Sequence, residues 1–151
     1  MWTFKTAGKT ETSGFPGGIH KIDGDDLWLV ATESVAIVSG SAADQSSSVI
    51  DFIPYGRDFI IEVDPSATLA TRADIDVDYS DEKDGTFVEL ATTAAIALKD
   101  GTLSKDTFDN SAKGQRPYYK LRMDKNASLK DDGQTTVQFK IFLPPPGKTI
   151  E

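Results

Sequence analysis

The sequence predicts an all-β domain: a two-sheet antiparallel β-sandwich, jelly-roll-like, of about eight or nine strands. Three observations predict it. Apolar residues recur with period two between the turn signals, as on a strand with one buried face. Short runs rich in β-branched and aromatic residues are bounded by Gly, Pro, Asn, Asp and Ser. Only 91–99 (ATTAAIALK) has enough Ala and Leu to suggest a helix, and its threonines weaken that reading. At 151 residues, one domain over 1–151 can bury roughly 68–70% of its unfolded-chain surface.

Taken in order, Trp2 and Phe4 begin as an edge strand. Residues 27–31, 35–38, 49–53 and 59–63 are short apolar runs between breakers. Ala73, Ile75, Val77 and Tyr79 alternate with Asp74, Asp76, Asp78 and Ser80. The Asp84-Gly85 turn then returns 87–90 onto 75–79 as a hairpin. Tyr119, Leu121 and Met123 alternate with Lys120, Arg122 and Asp124, and Val137, Phe139, Ile141 and Leu143 with Gln138 and Lys140. Phe142 interrupts the polar face of that last strand. Strands with turns between them and no βαβ rhythm imply two packed sheets. Residues 9–18 and 39–48 (SGSAADQSSS) are turn-rich and polar. Pro144, Pro145 and Pro146 cannot donate ladder bonds and favour an extended tail. The expected organisation is a sandwich with an N-terminal arm, 1–20, and a C-terminal arm, 144–151.

Composition excludes several functions. The chain has no cysteine, which removes disulfides, thiolate metal sites and cysteine nucleophiles. One histidine, His20, leaves little for acid–base work near neutrality. The net charge of −8 argues against a nucleic-acid partner, which needs clustered Lys and Arg. No apolar stretch approaches a membrane span of about 20 residues, and 1–9 lacks the apolar core of a signal peptide. Charge is uneven: 71–98 carries −5 and 99–125 carries +3. Asp76 and Asp78 are therefore expected on the sheet face that carries Lys120 and Arg122, setting register by cross-strand pairing.

No motif carries chemistry. The triplets Gly8-Lys9-Thr10 and Gly147-Lys148-Thr149 lack the earlier glycine of a phosphate loop, having Thr3 and Phe142 there. The acidic run Asp74, Asp76, Asp78, Asp81, Glu82, Asp84 misses the glycine of a calcium loop, with Asp81 or Tyr79 in its place. It reads as a solvated face plus an acidic hairpin tip, with a weak calcium site at 81–84 as the alternative. Carboxylate pairs suitable for glycoside hydrolysis arise by chance among 24 acidic residues. A serine triad would rest on His20, with no Gly-x-Ser-x-Gly elbow. Asn126-Ala127-Ser128 reads as a turn rather than a glycosylation acceptor. The expectation is no catalytic residue, no cofactor and no metal. Trp28 reads as core. Trp2, Phe15, Tyr55 and Tyr118, near termini or turns, are candidates for exposure, with a subunit interface favoured over a carbohydrate platform.

The stretch Asp76-Val77-Asp78-Tyr79-Ser80-Asp81, with Asp84-Gly85-Thr86-Phe87-Val88-Glu89-Leu90 after it, has a recognisable rhythm. Arg116-Pro117-Tyr118-Tyr119-Lys120-Leu121-Arg122 and Thr136-Val137-Gln138-Phe139-Lys140-Ile141 continue it. Over about 72–143 this resembles discoidin-like sandwiches and the small structural domains of tailed bacteriophages. A hairpin tip with two core strands specifies fold more than activity. With its acidic, cysteine-free composition and its arms, the chain is similar to the head decoration (cement) proteins of tailed phages. That resemblance implies a non-enzymatic protein of the virion capsid surface, made in the host cytoplasm without a signal peptide. It would bridge major capsid protein subunits and form a homo-oligomer, a trimer. The interface candidates are Trp2, Phe4, Phe15 and Ile19 in one arm and Pro144, Pro145, Pro146 and Ile150 in the other. A carbohydrate-binding sandwich module or a phage tail or fibre domain is the alternative, with a small hydrolase third.

Overall fold

Alternation along the chain becomes two sheets in the structure, a computed structural model. It describes residues 1–7, 28–36, 45–65, 73–90, 96–98, 104–110, 115–123 and 136–145. Ten strands are described: β1 (Thr3–Ala7), β2 (Trp28–Ala36), β3 (Gln45–Ser46), β4 (Phe59–Pro65), β5 (Ala73–Ser80), β6 (Val88–Glu89), β7 (Ile96–Leu98), β8 (Ser104–Phe108), β9 (Tyr118–Met123) and β10 (Thr136–Leu143). No helix occurs among the described residues. One sheet runs β1-β2-β10-β4-β8; the other runs β3-β9-β5-β6, with β7 also on β5. Every pairing is antiparallel. The expected β-sandwich is what the chain forms.

Period-two patterning places the core. β9 alternates half-buried and buried residues through its whole length. Its Tyr119, Leu121 and Met123 face Phe59, Ile61, Phe139 and Ile141 of the other sheet within one apolar cluster. Each such side chain, once fully buried, contributes roughly 1.5–3 kcal/mol. Phe59 stacks on Phe108 at 4.8 Å, and Phe108 meets the Tyr119 ring edge-on at 5.2 Å. These three rings join the two sheets at one end of the sandwich.

Several elements depart from expectation. The described parts of the runs 27–31 and 35–38 join into one strand, β2, because β10 pairs along it from Leu29 to Ala36; residues 27, 37 and 38 lie outside the described residues. In 49–53 only Ile50 is bridged, to Tyr119. In 91–99 the described part, Ile96–Leu98, is a strand rather than a helix; 91–95 and residue 99 lie outside the described residues. Between Asp78↔Glu89 and Ile75↔Ile96, three steps along β5 match seven along its partner, so the ladder is interrupted there. Phe142 breaks the polar face because it joins Trp28, Val30 and Ile60 in a second buried cluster. Val30 and Ile60 both oppose it in register on the outer side of the five-stranded sheet.

The arms need correction. Trp2 is buried at 6% exposure, and its indole N–H donates to the Ser48 carbonyl at 3.1 Å. It belongs to the core, because β1 lies on β2 and carries the chain over the sandwich. Pro144 and Pro145 are buried too, and their carbonyls accept from Arg57 Nη2 at 2.9 and 3.0 Å. A proline lacks a donor but keeps its acceptor, and the guanidinium uses it. Phe4 alone of the described interface candidates is exposed, at 53%. Phe15, Ile19, Pro146 and Ile150 lie outside the described residues.

Candidate functional site

β4 begins, β8 and β5 end, and β9 begins at the same end of the sandwich, so 51–58, 81–87 and the described parts of a third loop, 109–110 and 115–117, gather there. The first loop presents Tyr55. The Arg57 amide donates to the Pro54 carbonyl at 3.0 Å, closing a turn with Tyr55 and Gly56 at its centre. Gly56 has φ of +77°, the left-handed value that the third residue of a type II turn requires. Tyr55 is thereby carried at the corner, 74% exposed.

The third loop is tied to the first from below. Asn110, fully buried, donates from its backbone N to Asp58 Oδ1 at 2.8 Å and from Nδ2 to the Arg57 carbonyl at 3.0 Å. Its Oδ1 accepts from the Tyr119 hydroxyl at 2.5 Å, and its carbonyl accepts from the Gln115 amide at 3.0 Å. The Tyr119 hydroxyl in turn accepts from the Arg116 amide at 2.7 Å. Gln115 takes a positive φ of 50°, and its side-chain amide lies against Gly56. Burial pushes the Tyr119 phenol above its ordinary value, partly offset by the Arg116 amide and charge.

The hairpin tip closes the ring of loops. Ser80 Oγ donates to the Glu82 carbonyl at 2.7 Å and accepts from the Glu82 amide at 3.1 Å. The Gly85 amide also donates to that carbonyl, at 3.0 Å. Arg116 lies 4.4 Å over the Tyr79 ring and pairs with Asp81 at 3.3 Å. Lys83 pairs with Asp51 at 2.6 Å, and that contact raises its pKa. The surface therefore holds one exposed ring, an amide, and ion pairs of both signs.

A second surface lies on the outer face of the five-stranded sheet. Lys5, Val30, Glu62, Lys140 and Phe142 line a depression of about 350 Å³. Lys140 reaches the buried Glu62 at 3.8 Å.

The expected pairing of Asp76 and Asp78 with the basic strand is present. Arg122 donates from Nε to Asp78 Oδ2 at 2.9 Å and from Nη2 to Asp76 Oδ2 at 3.4 Å. In register, Asp76 opposes Arg122 and Asp78 opposes Lys120. The two aspartates are buried, at 7% and 6% exposure, rather than solvated as the sequence implied. Among the described residues no group of three or more candidate ligands is placed to hold a metal ion. His20, both GKT triplets and Asn126 lie outside the described residues. Sequence reasoning noted Tyr55 but missed Asn110, Gln115 and Arg116 as a group. The signal available was the Pro54-Tyr55-Gly56 turn; their meeting is tertiary.

The chain matches no protein-family model and no curated protein. Among solved structures it is similar to one described as "CBM4 structure and function", at 11% identity over 95% of this chain and 86% of that one, with a TM-score of 0.41. It is also similar to the CBM22-1–GH10 modules of the Clostridium thermocellum endo-1,4-β-D-xylanase 10B complexed with xylohexaose, at 11% identity and a TM-score of 0.41. That match covers 99% of this chain and 25% of the xylanase chain.

Proposed function

We propose that the chain is a non-catalytic recognition module whose Tyr55 end binds carbohydrate. The observation that carries this reading is an exposed ring, 74% accessible, on a turn whose backbone is hydrogen-bonded from below. A ring held in place before binding loses little freedom when a ligand covers it. Its face suits the apolar C–H face of a sugar ring, and its hydroxyl can bond to a sugar hydroxyl. The Gln115 amide supplies both a donor and an acceptor for further hydroxyls. Opposite charges at Arg116–Asp81 and Lys83–Asp51 balance locally, which suits a neutral ligand better than a polyanion.

Calorimetric titration with xylohexaose, cellohexaose and chitohexaose tests this. At least one is expected to bind, and Tyr55→Ala to weaken it about tenfold or more. Binding of none, or binding that Tyr55→Ala leaves intact, overturns the reading.

A second reading is a virion subunit that decorates a capsid as a homotrimer on the major capsid protein. One observation favours it. Phe4 is exposed on the edge strand β1 and meets Phe52 edge-on at 5.0 Å. A ring pair at an open sheet edge suits a subunit contact. Sedimentation at high concentration should then show a trimer that Phe4→Ser disperses; a monomer removes the oligomeric part of this reading.

A further inference from the structure

We infer that Asn110 and Tyr119 form one clamp that sets the Tyr55 turn against the Gln115–Arg116 corner, which makes them positioning residues of the proposed carbohydrate site. The inference rests on that reading for its ligand, and on hydrogen-bond direction for its geometry. At one end of the chain of bonds is the Arg116 amide, which can only donate, and it donates to the Tyr119 oxygen at 2.7 Å. The hydroxyl proton is then free to go to Asn110 Oδ1. At the other end is the Arg57 carbonyl, which can only accept, so Asn110 presents Nδ2 to it at 3.0 Å. Backbone groups with one possible role each therefore fix the Tyr119 proton and the Asn110 amide orientation.

All four hydrogen-bonding groups of Asn110 are engaged with different partners: Asp58, Arg57, Tyr119 and Gln115. No pairing of strands requires this. The Tyr119 ring is already packed by Phe59 and Phe108, and a phenylalanine would pack as well. A buried hydroxyl is unfavourable unless bonded, and here it holds Asn110 and Arg116 at once, while Asn110 makes the link to the first loop through Asp58 and Arg57. One loop carries Tyr55 one residue before Gly56; the other carries Gln115 against that glycine. The spacing between ring and amide is what the clamp sets.

The test uses the whole chain in two arms. In the ligand-free arm, deuterium exchange is followed for Tyr119→Phe and for Asn110→Asp, which would face the Arg57 carbonyl with an oxygen. Exchange at the Arg116 and Gln115 amides is expected to accelerate about tenfold or more, with the Ile50 amide, bonded to the Tyr119 carbonyl, and the Leu121 amide, bonded to Ser47 Oγ, unchanged. In the second arm, xylohexaose is titrated well below the melting temperature. Both variants are expected to lose about tenfold in affinity. The core control Ile141→Val should lower the melting temperature while keeping affinity. Unchanged exchange at Arg116 overturns the clamp whatever the ligand does. Affinity that follows melting temperature equally in all three variants overturns the positioning role. Accelerated local exchange in a chain that binds none of the three hexasaccharides supports the clamp and removes the carbohydrate reading.

Discussion

At the residue scale, Tyr119 links stability to pH. Its folded pKa is raised above the ordinary 10.0 by burial, so the unfolded chain releases this proton first. The folded state then holds more protons, and stability falls as pH rises. The contribution is full below about pH 10 and is lost as pH climbs through the raised value. The urea midpoint should therefore fall more steeply between about pH 9.5 and 11 in the wild type than in Tyr119→Phe. Equal slopes would count against it. Gly85 is a second sensitive residue. An added Cβ would stand 2.7 Å from Ser80 Oγ and 3.1 Å from the Glu82 carbonyl oxygen. Because Ser80 is bonded to Glu82 in both directions, it cannot move without breaking the tip. Gly85→Ala should cost about 1–3 kcal/mol by urea denaturation. Tyr55, by contrast, was visible in the sequence as an aromatic beside a Pro and a Gly.

At the element scale, β5 and β9 were legible from alternation alone, and so was their charge complement. Burial of the charges was not. Arg122 is 17% exposed at its side chain and serves Asp76 and Asp78 together, with Glu89 at 4.0 Å. Asp78 Oδ1 is buried with no hydrogen-bond partner among the described residues, so this network has little to spare. Removing the cation leaves two buried carboxylates side by side on one face of β5. Arg122→Ala should destabilise by about 3–5 kcal/mol, well above an exposed pair of about 0–1 kcal/mol. A loss under 1 kcal/mol in chemical denaturation would show that water reaches them. β8 shows the opposite limit. Its SKDTF has one large apolar residue, Phe108, and sits at the sheet edge. An edge strand needs only one good anchor, which is too weak a pattern to see in one dimension.

At the scale of the whole molecule, the end of β10 is a structural joint rather than a loose arm. Arg57 reaches across 87 residues of sequence to the Pro144 carbonyl and also holds Pro145. The loop that presents Tyr55 and the exit of the last strand are thus one assembly. A chain ending at Leu143 should lose about 1.5–3 kcal/mol, the range for a hydrogen bond to a charged donor. Arg57→Ala should lose a similar amount, and the two losses should not add, because they remove the same contact. Additive losses in a double variant would separate them.

The sequence alone determined the class of fold, the hairpin at Asp84-Gly85 and most strand faces. Period two and turn chemistry are local properties, readable within a few residues. Only the tertiary structure decided which strands share a sheet, why Phe142 points outward among Trp28, Val30 and Ile60, and that Trp2, Pro144 and Pro145 are buried. It also brought Tyr55, Asn110, Gln115 and Arg116 to one end. Tyr55 lies far along the chain from the other three, and each alone is an ordinary polar or turn residue. Their meaning comes from hydrogen bonds that form only after β4, β8 and β9 have stacked. A pattern confined to neighbours in sequence carries no record of such a meeting.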